Sequence, residues 1–409
     1  MNKFELLSPA RDMESLRAAV LYGADAVYLG SDGFGLRANS GFSNNELTEA
    51  VAYAHEHGVK IYLACNVVAN NSDIEAFAEY IQGLPPVNAV IVSDLGMLSV
   101  VKAHAPDLDI HISTQAGVMN YETANFLHKQ GAKRIILARE LSLSEIKEIR
   151  RNTPPDLELE AFVHGAMCVA FSGRCLLSAY LTERDANRGE CSQPCRWEYS
   201  LTETTRPDEQ FPIYENQHGT YILNSKDLCM LEHIPDLAEA GITSFKIEGR
   251  AKTAYYTAVV TNAYRAAIEA YKSGEPLPDW VKREAHCVSH RRYSTGFYYG
   301  AAEQYYENSG YIRDCDFVAT VDSIHDCELE ITVRNYFTID DYIEMVIPGS
   351  TPERLVISEM RNSNGEAVTV ANHAMEKLRV SAVGDAEVQN ELPHPGVPPI
   401  NTMLRRVNK

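Results

Sequence analysis

Long apolar runs are absent from this sequence, and none approaches the roughly 20 residues that a helix needs to cross a bilayer. The first eight residues do not resemble a signal peptide either, since they lead directly into a strand-like segment. We therefore expect a cytoplasmic protein without a membrane partner. Structural disulfides are uncommon in that compartment.

Several sequence motifs that mark common enzyme classes are also missing. No G-x-G-x-x-G follows the first predicted strand, which weakens a dinucleotide-binding interpretation. The sequence contains no G-x-S-x-G, no H-E-x-x-H and no evident cysteine–histidine pair. It therefore lacks the usual marks of a peptidase.

Basic residues are scarce relative to acidic ones: 37 lysines and arginines stand against 56 aspartates and glutamates, a net charge of −19. This balance opposes indiscriminate binding to nucleic acid, whose phosphates favour basic surfaces. It leaves room for a local basic patch, although for most arginines we expect an ordinary solvated position. Nothing in the sequence indicates an oligomeric state.

The first 275 residues repeat a short apolar run, rich in β-branched residues, followed by an amphipathic stretch of helical length. Continuous apolar strands are typical of a parallel sheet buried on both faces. The series predicts an α/β fold, a (β/α)8 TIM-like barrel, with a doubly wound open sheet as the alternative. The eight apolar runs are Phe4–Leu7, Ala26–Gly30, Ile61–Cys65, Ala89–Val92, Ile110–Ser113, Arg134–Leu137, Leu159–Val163 and Ser244–Ile247.

The pattern changes after the predicted barrel. A Lys-Ser-Gly followed by two prolines marks a boundary, and short alternating strands separated by turn signals come later. These strands predict a small antiparallel β-barrel. The predicted divisions are a barrel over 1–275 with an insertion at 165–228 after strand seven, a linker at 276–315, a small β-barrel domain at 316–392 and a C-terminal tail at 393–409.

Four of the nine cysteines lie within the insertion, with the spacing C-x6-C-x15-C-x3-C. Structural disulfides, unrelated buried thiols and a metal centre are the three interpretations. A structural zinc site usually pairs two short C-x2–4-C units. Only Cys191 and Cys195 are that close, so the spacing favours an iron–sulfur cluster without excluding zinc. The candidate ligands are Cys168, Cys175, Cys191 and Cys195.

Polar side chains follow several predicted strands at the end where barrel enzymes carry their chemistry. Arg37, Arg139 and Arg250 can together hold a small dicarboxylate, because guanidinium groups bind carboxylates bidentately. The alternative is that these arginines form salt bridges with neighbouring glutamates. We expect the catalytic side chains to be His164, Lys246 and Glu248.

The cysteine segment resembles the signature of peptidase family U32, the collagenase-like peptidases. The matching residues are Glu160-x-Phe-x-x-Gly165-x-x-Cys168 and Ser172-Gly-x-Cys175-x-x-Ser178. Six further segments resemble the branch of this family that hydroxylates RNA. They are Asn187-Arg-Gly-x-Cys191, Cys195-Arg-Trp197, Asn224-Ser-Lys-Asp-Leu228, Lys246-Ile-Glu-Gly-Arg250, Ser289-His-Arg291 and Arg334-Asn-x-Phe337.

The resemblance implies a [4Fe–4S] cluster on the four clustered cysteines, with Cys229 as an alternative fourth ligand. It also implies 5-hydroxylation of a tRNA wobble uridine, with prephenate, a dicarboxylate, as co-substrate and without molecular oxygen. Hydroxylation of 23S rRNA, peptidase activity and a non-catalytic, metal-stabilised accessory role are the alternatives. Which RNA, which nucleotide and which electron donor are involved stay open at this point.

Overall fold

The computed structural model describes most of the chain and divides it into two units. The described residues are 4–31, 33–35, 41–168, 170–173, 175–188, 190–197, 215–216, 219–220, 225–302, 310–325, 328–384 and 400–408. The first unit comprises Met1–Leu16, Ala24–Lys252 and His290–Tyr311. The second comprises Arg17–Gly23, Thr253–Ser289 and Ile312–Lys409.

The first unit is built around a closed barrel. In chain order its described strands are β1 (Glu5–Pro9), β2 (Ala26–Leu29), β3 (Lys60–Cys65), β4 (Ala89–Val92), β5 (Asp109–Ile112), β6 (Ala132–Ile136), β7 (Glu158–Gly165), β8 (Glu215–Asn216), β9 (Gly219–Thr220), β10 (Asp227–Cys229), β11 (Ser244–Ile247) and β12 (Tyr293–Ser294). Strands β1 to β7 pair in sequence order, and β11 pairs with both β7 and β1. Within the described ranges, eight parallel strands therefore close the barrel, which confirms the predicted fold.

Helices follow most of the barrel strands, and local sequence signals set their ends. The described helices are α1 (Met13–Leu21), α2 (Asn44–Glu56), α3 (Ile74–Gln82), α4 (Leu95–His104), α5 (Tyr121–Lys129), α6 (Leu143–Arg151), α7 (Leu177–Thr182), α8 (Ile234–Glu239), α9 (Ala254–Ser273) and α10 (Asp279–Glu284). A capping box of Ser142 and Glu145 opens α6. Gly241, with φ +98°, turns the chain after α8. None of the helices in the described part of the chain is both long and apolar enough to span a membrane.

The predicted insertion lies between β7 and β11, which are neighbours in the barrel although residues 166–243 separate them. Short 3-10 turns and α7 come first in its described part. Strand β10 then pairs antiparallel with the end of β7, and β12 pairs with β10. The cysteine segment thus leaves the barrel at the carboxyl end of β7.

The barrel interior carries charged side chains that the apolar runs did not predict. Arg134 donates from Nη1 to a Glu160 carboxylate oxygen at 2.9 Å, and Ser244 Oγ donates to the same oxygen at 3.0 Å. Arg134 also contacts Glu5. Burial by itself raises the Glu5 pKa, but Arg134, with Lys60 and Tyr62, lowers it to about 2. The opposite charges neutralise one another inside the barrel, as buried charges require.

The second unit contains the described strands β13 (Cys315–His325), β14 (Glu328–Val333), β15 (Phe337–Thr338), β16 (Ile343–Val346), β17 (Glu353–Arg361), β18 (Ala367–Val368), β19 (Val370–Ala371), β20 (Lys377–Gly384) and β21 (Met403–Val407). Six of them pair antiparallel in the order β16-β21-β13-β14-β20-β17, and β17 returns to β16. Among the residues described, these six strands close the small β-barrel that the sequence predicted.

Strand β21 lies within the segment predicted as a tail, and it joins β13 to β16. Its Arg405 is fully buried between two carboxylates. The guanidinium donates to Glu284 Oε1 at 2.7 Å and from Nε to Glu344 Oε2 at 2.9 Å. Burial lowers the Arg405 pKa, but the Glu284 carboxylate more than reverses this and raises it. The strand is therefore tied to its unit by charge as well as by backbone pairing.

Candidate active site at the mouth of the barrel

A cavity of about 410 Å3 lies at the carboxyl ends of the barrel strands in the first unit. Asn66, Ser113 and Gln115, which follow β3 and β5, form part of its wall. The cavity also gathers most of the side chains that the sequence singled out. These are Cys168, Cys175, Cys191, Cys195, Arg139, Lys246, Glu248 and Arg250.

Three of the cysteines receive backbone N–H groups from residues two positions further along. Leu177 N donates to Cys175 Sγ and Gln193 N donates to Cys191 Sγ, both at 3.4 Å. The Ala170 N–H donates to Cys168 in the same way. Burial raises the Cys168 pKa, and the Ala170 N–H offsets part of that shift. The segment therefore points backbone donors at three sulfurs on the cavity.

Hydrogen bonds outside the cysteines fix the segment. Ser172 adopts φ +45° between Cys168 and Cys175. Its N–H and Oγ donate to the two oxygens of Glu140 at 2.6 and 2.7 Å. Further along, Ser192 N donates to Ser178 Oγ at 3.1 Å. The Glu140 contacts anchor the turn between the first two cysteines, and the Ser192–Ser178 contact joins the stretches that carry the second and third.

Cys229 occupies a different place from the four clustered cysteines. It pairs with His164 across β10 and β7, and it is not among the described residues that line the cavity. Cys195 does line it. The arrangement favours Cys195 over Cys229 as the fourth member of the set, although the identity of the ligands stays a prediction.

The cavity wall combines two arginines with aromatic rings. Arg139 donates from Nη1 to the Ala166 carbonyl at 2.9 Å, and its guanidinium carbon lies 3.8 Å from the Phe162 ring centroid. The Arg139 Nη2 atom is 3.6 Å from Glu248, and its Nε has no hydrogen-bond partner within the described part of the chain. Arg250 is buried, with its guanidinium carbon 5.7 Å from the Tyr28 ring centroid. Arg37 lies outside the described residues.

Lys246 forms part of the cavity floor. Its Nζ donates to Glu160 Oε1 at 2.9 Å and lies 4.3 Å from the Tyr28 ring centroid. Burial lowers the Lys246 pKa, and the negative charge of Glu160 offsets part of that shift. Glu248, two residues on, accepts from the Tyr28 hydroxyl at 3.5 Å. Lys246 and Glu248 therefore line the same cavity.

His164 is not among the described lining residues. It is buried, and its Nε2 lies 3.3 Å from the Tyr293 hydroxyl. Burial first, then the charges of His290 and Lys252, lower its pKa to about 3. A neutral imidazole held in this way accepts and donates hydrogen bonds, and its expected catalytic role stays a prediction.

Sequence reasoning missed the aromatic part of the site. Tyr28 and Phe162 lie inside apolar strands, where an aromatic residue is ordinarily part of the core. The available signal was their position close to the strand ends, since Tyr28 comes one residue before β2 ends. The hydrogen bonds from Ser172 to Glu140 were not predicted either.

Comparison with known proteins covers nearly the whole chain. The family model for peptidase family U32 matches residues 11–308, and the model for the U32 C-terminal domain matches residues 313–392. The tRNA hydroxylation protein P of Escherichia coli is 36% identical over 421 aligned positions, which span 91% of this chain and 92% of that protein.

Two further matches are partial. The 23S rRNA 5-hydroxycytidine C2501 synthase of Escherichia coli is 40% identical over 271 positions, covering 66% of this chain and 40% of that protein. The solved structure of the U32 peptidase Mk0906 aligns with a TM-score of 0.41 and 15% identity, covering 61% of this chain and 94% of that one.

Proposed function

Because this chain belongs to peptidase family U32, we propose that it is an RNA hydroxylase, most specifically one that 5-hydroxylates the wobble uridine of tRNA. The observation that carries the proposal is the match to a tRNA hydroxylation protein over 91% of the chain. The partial match to an rRNA hydroxycytidine synthase makes 23S rRNA the second candidate substrate. Both relatives, by their names, act on RNA.

The cluster proposed for this site is [4Fe–4S], held by Cys168, Cys175, Cys191 and Cys195. All four line one cavity, and backbone N–H groups point at three of the sulfurs. No group of three or more His, Cys, Asp and Glu side chains within the described ranges is placed to hold a single metal ion. Four thiolates are the ligand set of a [4Fe–4S] cluster. When bound, such a cluster supplies electron transfer.

Prephenate is the proposed co-substrate, and the cavity wall offers what a dicarboxylate needs. Arg139 and Arg250 supply two guanidinium groups on the cavity that also holds the cysteines. The rings of Tyr28 and Phe162 give the apolar part of the ligand a surface to pack on. The wall partly shields a ligand from water, which strengthens each charge–charge contact.

The insertion also exposes aromatic and aliphatic side chains beside the cysteines. Phe171, Tyr180 and Trp197 are 48%, 81% and 45% exposed. Aromatic faces stack on unpaired bases in a sequence-tolerant way. This surface is a fitting platform for a splayed-out nucleotide in a protein whose overall charge is negative.

Nucleoside mass spectrometry of tRNA and 23S rRNA from a deletion strain tests the proposal. We expect the hydroxylated wobble uridine to disappear and to return with the wild-type gene and with a Cys229→Ser gene, but not with Cys191→Ser. Unchanged modification in both RNAs would refute RNA hydroxylation. Cleavage of gelatin that survives Cys191→Ser would favour the peptidase alternative instead.

A further inference from the structure

We propose that Lys246 is a catalytic residue that condenses with the oxo group of a 2-oxo carboxylate to form a Schiff base. The inference rests on the proposed function, since prephenate carries a 2-oxo carboxylate side chain. It names a covalent step that the arginine and cysteine assignments do not contain. Four observations of the described residues carry it: the position, surroundings, protonation and charge balance of this lysine.

The position of Lys246 is unusual for a lysine. Its side chain is only 4% exposed, and the residue lines the same cavity as Arg139 and Arg250. Because these three side chains line one cavity, a carboxylate held by the guanidinium groups brings the adjoining oxo carbon into the cavity that Lys246 also lines. Carbonyl substrates are attacked by lysine amines desolvated in this way.

The lowered pKa of Lys246 favours the attack. Burial lowers the pKa of Lys246, Glu160 offsets part of that shift, and the charge of Arg250 adds to the lowering, so the neutral amine is more accessible than in water. Glu160, which accepts from Lys246 Nζ, also accepts from Arg134 at 2.9 Å. The carboxylate therefore keeps a cationic partner when the lysine loses its charge. A buried ion pair that depended on Lys246 alone would oppose that loss.

The condensation balances without an oxidant or reductant. The nitrogen lone pair of Lys246 forms a bond to the oxo carbon, and the C–O bond breaks after two proton transfers to oxygen, which leaves as water. One of those protons comes from the attacking nitrogen. The other is the proton that the ammonium form of Lys246 gives up before the attack, and Glu248, on the same cavity, is placed to take it and return it to the oxygen. The product is a protonated imine, which withdraws electrons from the carbons beside it.

Reductive trapping tests the proposal on the holoprotein. Anaerobically purified protein is incubated with prephenate, phenylpyruvate or pyruvate and cyanoborohydride, which reduces imines to stable secondary amines. We expect about one adduct per chain, mapped by peptide mass spectrometry to Lys246. Lys246→Arg should lose the adduct, while Lys252→Arg, a change to another lysine that lines the cavity, should retain it.

The outcomes separate this inference from the proposed function. Trapping at other lysines only, or at the same level in denatured protein, would overturn it, and so would wild-type RNA hydroxylation by Lys246→Arg. An adduct at Lys246 with phenylpyruvate or pyruvate, in a protein whose deletion leaves RNA unchanged, would support the lysine chemistry while removing RNA as the substrate. Loss of RNA hydroxylation on deletion, with no adduct at Lys246, would support the proposed function and overturn the Schiff base.

Discussion

Replacing Glu140 by alanine is expected to speed the release of iron from the protein. The Glu140 carboxylate accepts two hydrogen bonds from Ser172, at 2.6 and 2.7 Å, and thereby holds the turn between Cys168 and Cys175. A hydrogen bond to a charged group contributes about 1.5–3 kcal/mol. Glu140 is partly exposed, so we take about 2 kcal/mol for the pair, or about 30-fold in the equilibrium that keeps the turn closed.

Glu145→Ala is the matched control. That carboxylate also accepts from the N–H and Oγ of one serine, Ser142, at 2.7 Å each, but it caps α6 away from the cavity. Iron release into a chelator is measured by the loss of visible absorption. It should be about 30-fold faster in Glu140→Ala and unchanged in Glu145→Ala. Hydrogen exchange at the Ser172 amide compares the same two variants in protein that holds no cluster. Equal release and equal exchange in the two variants would refute the reasoning.

Three further predictions concern stability and thiol reactivity. Arg405→Met leaves two buried carboxylates without their cation and should lower the free energy of unfolding, measured by urea denaturation, by about 3–5 kcal/mol. The control Arg379→Met, at an exposed ion pair, should lower it by less than about 1 kcal/mol. Because the Glu5 pKa is lowered to about 2, its carboxylate stabilises the fold above pH 4.5, and this stabilisation is lost as pH falls towards 2. In Glu5→Gln, the free energy of unfolding should therefore fall by about 3 kcal/mol less over this pH range. Iodoacetamide should modify the exposed Cys191 after chelator treatment but not in the holoprotein. It should leave Cys65 unmodified in both states, because burial raises the Cys65 pKa to about 12. Mass spectrometry identifies the modified sites, and equal labelling of Cys191 in both states would contradict a bound cluster.

The barrel was predictable because its strands are specified locally. The runs Ala89–Val92 and Ser244–Ile247 are strands with those same bounds, since a buried parallel strand needs only a short β-branched stretch between helix-ending signals. The mouth of the barrel was predictable for the same reason, because it lies where such strands end. Arg139, Lys246 and Arg250 reach one cavity as that geometry requires.

Features that depend on distant partners were not predictable. Glu5 looks like a lone acid in an apolar run, and its partner Arg134 lies 129 positions away. The alternation of apolar and polar residues in β21 is too short to be recognised after a proline-rich segment. Backbone pairing with β13 and β16 is what holds this segment as a strand. Whether Cys195 or Cys229 joins the other cysteines likewise depends on how the insertion folds back, which no local spacing encodes.

The position of β11 between β7 and β1 has a consequence for how the chain folds. Strands β1 to β7 follow one another closely, but β11 enters between β7 and β1 only after a long insertion. Until then the seven-stranded sheet has two open edges, and Glu160 lacks both Ser244 and Lys246. Because the same strand closes the sheet and completes the charge balance, both should appear in one late, cooperative folding step. An intermediate arrested before that step would expose strand edges prone to aggregation.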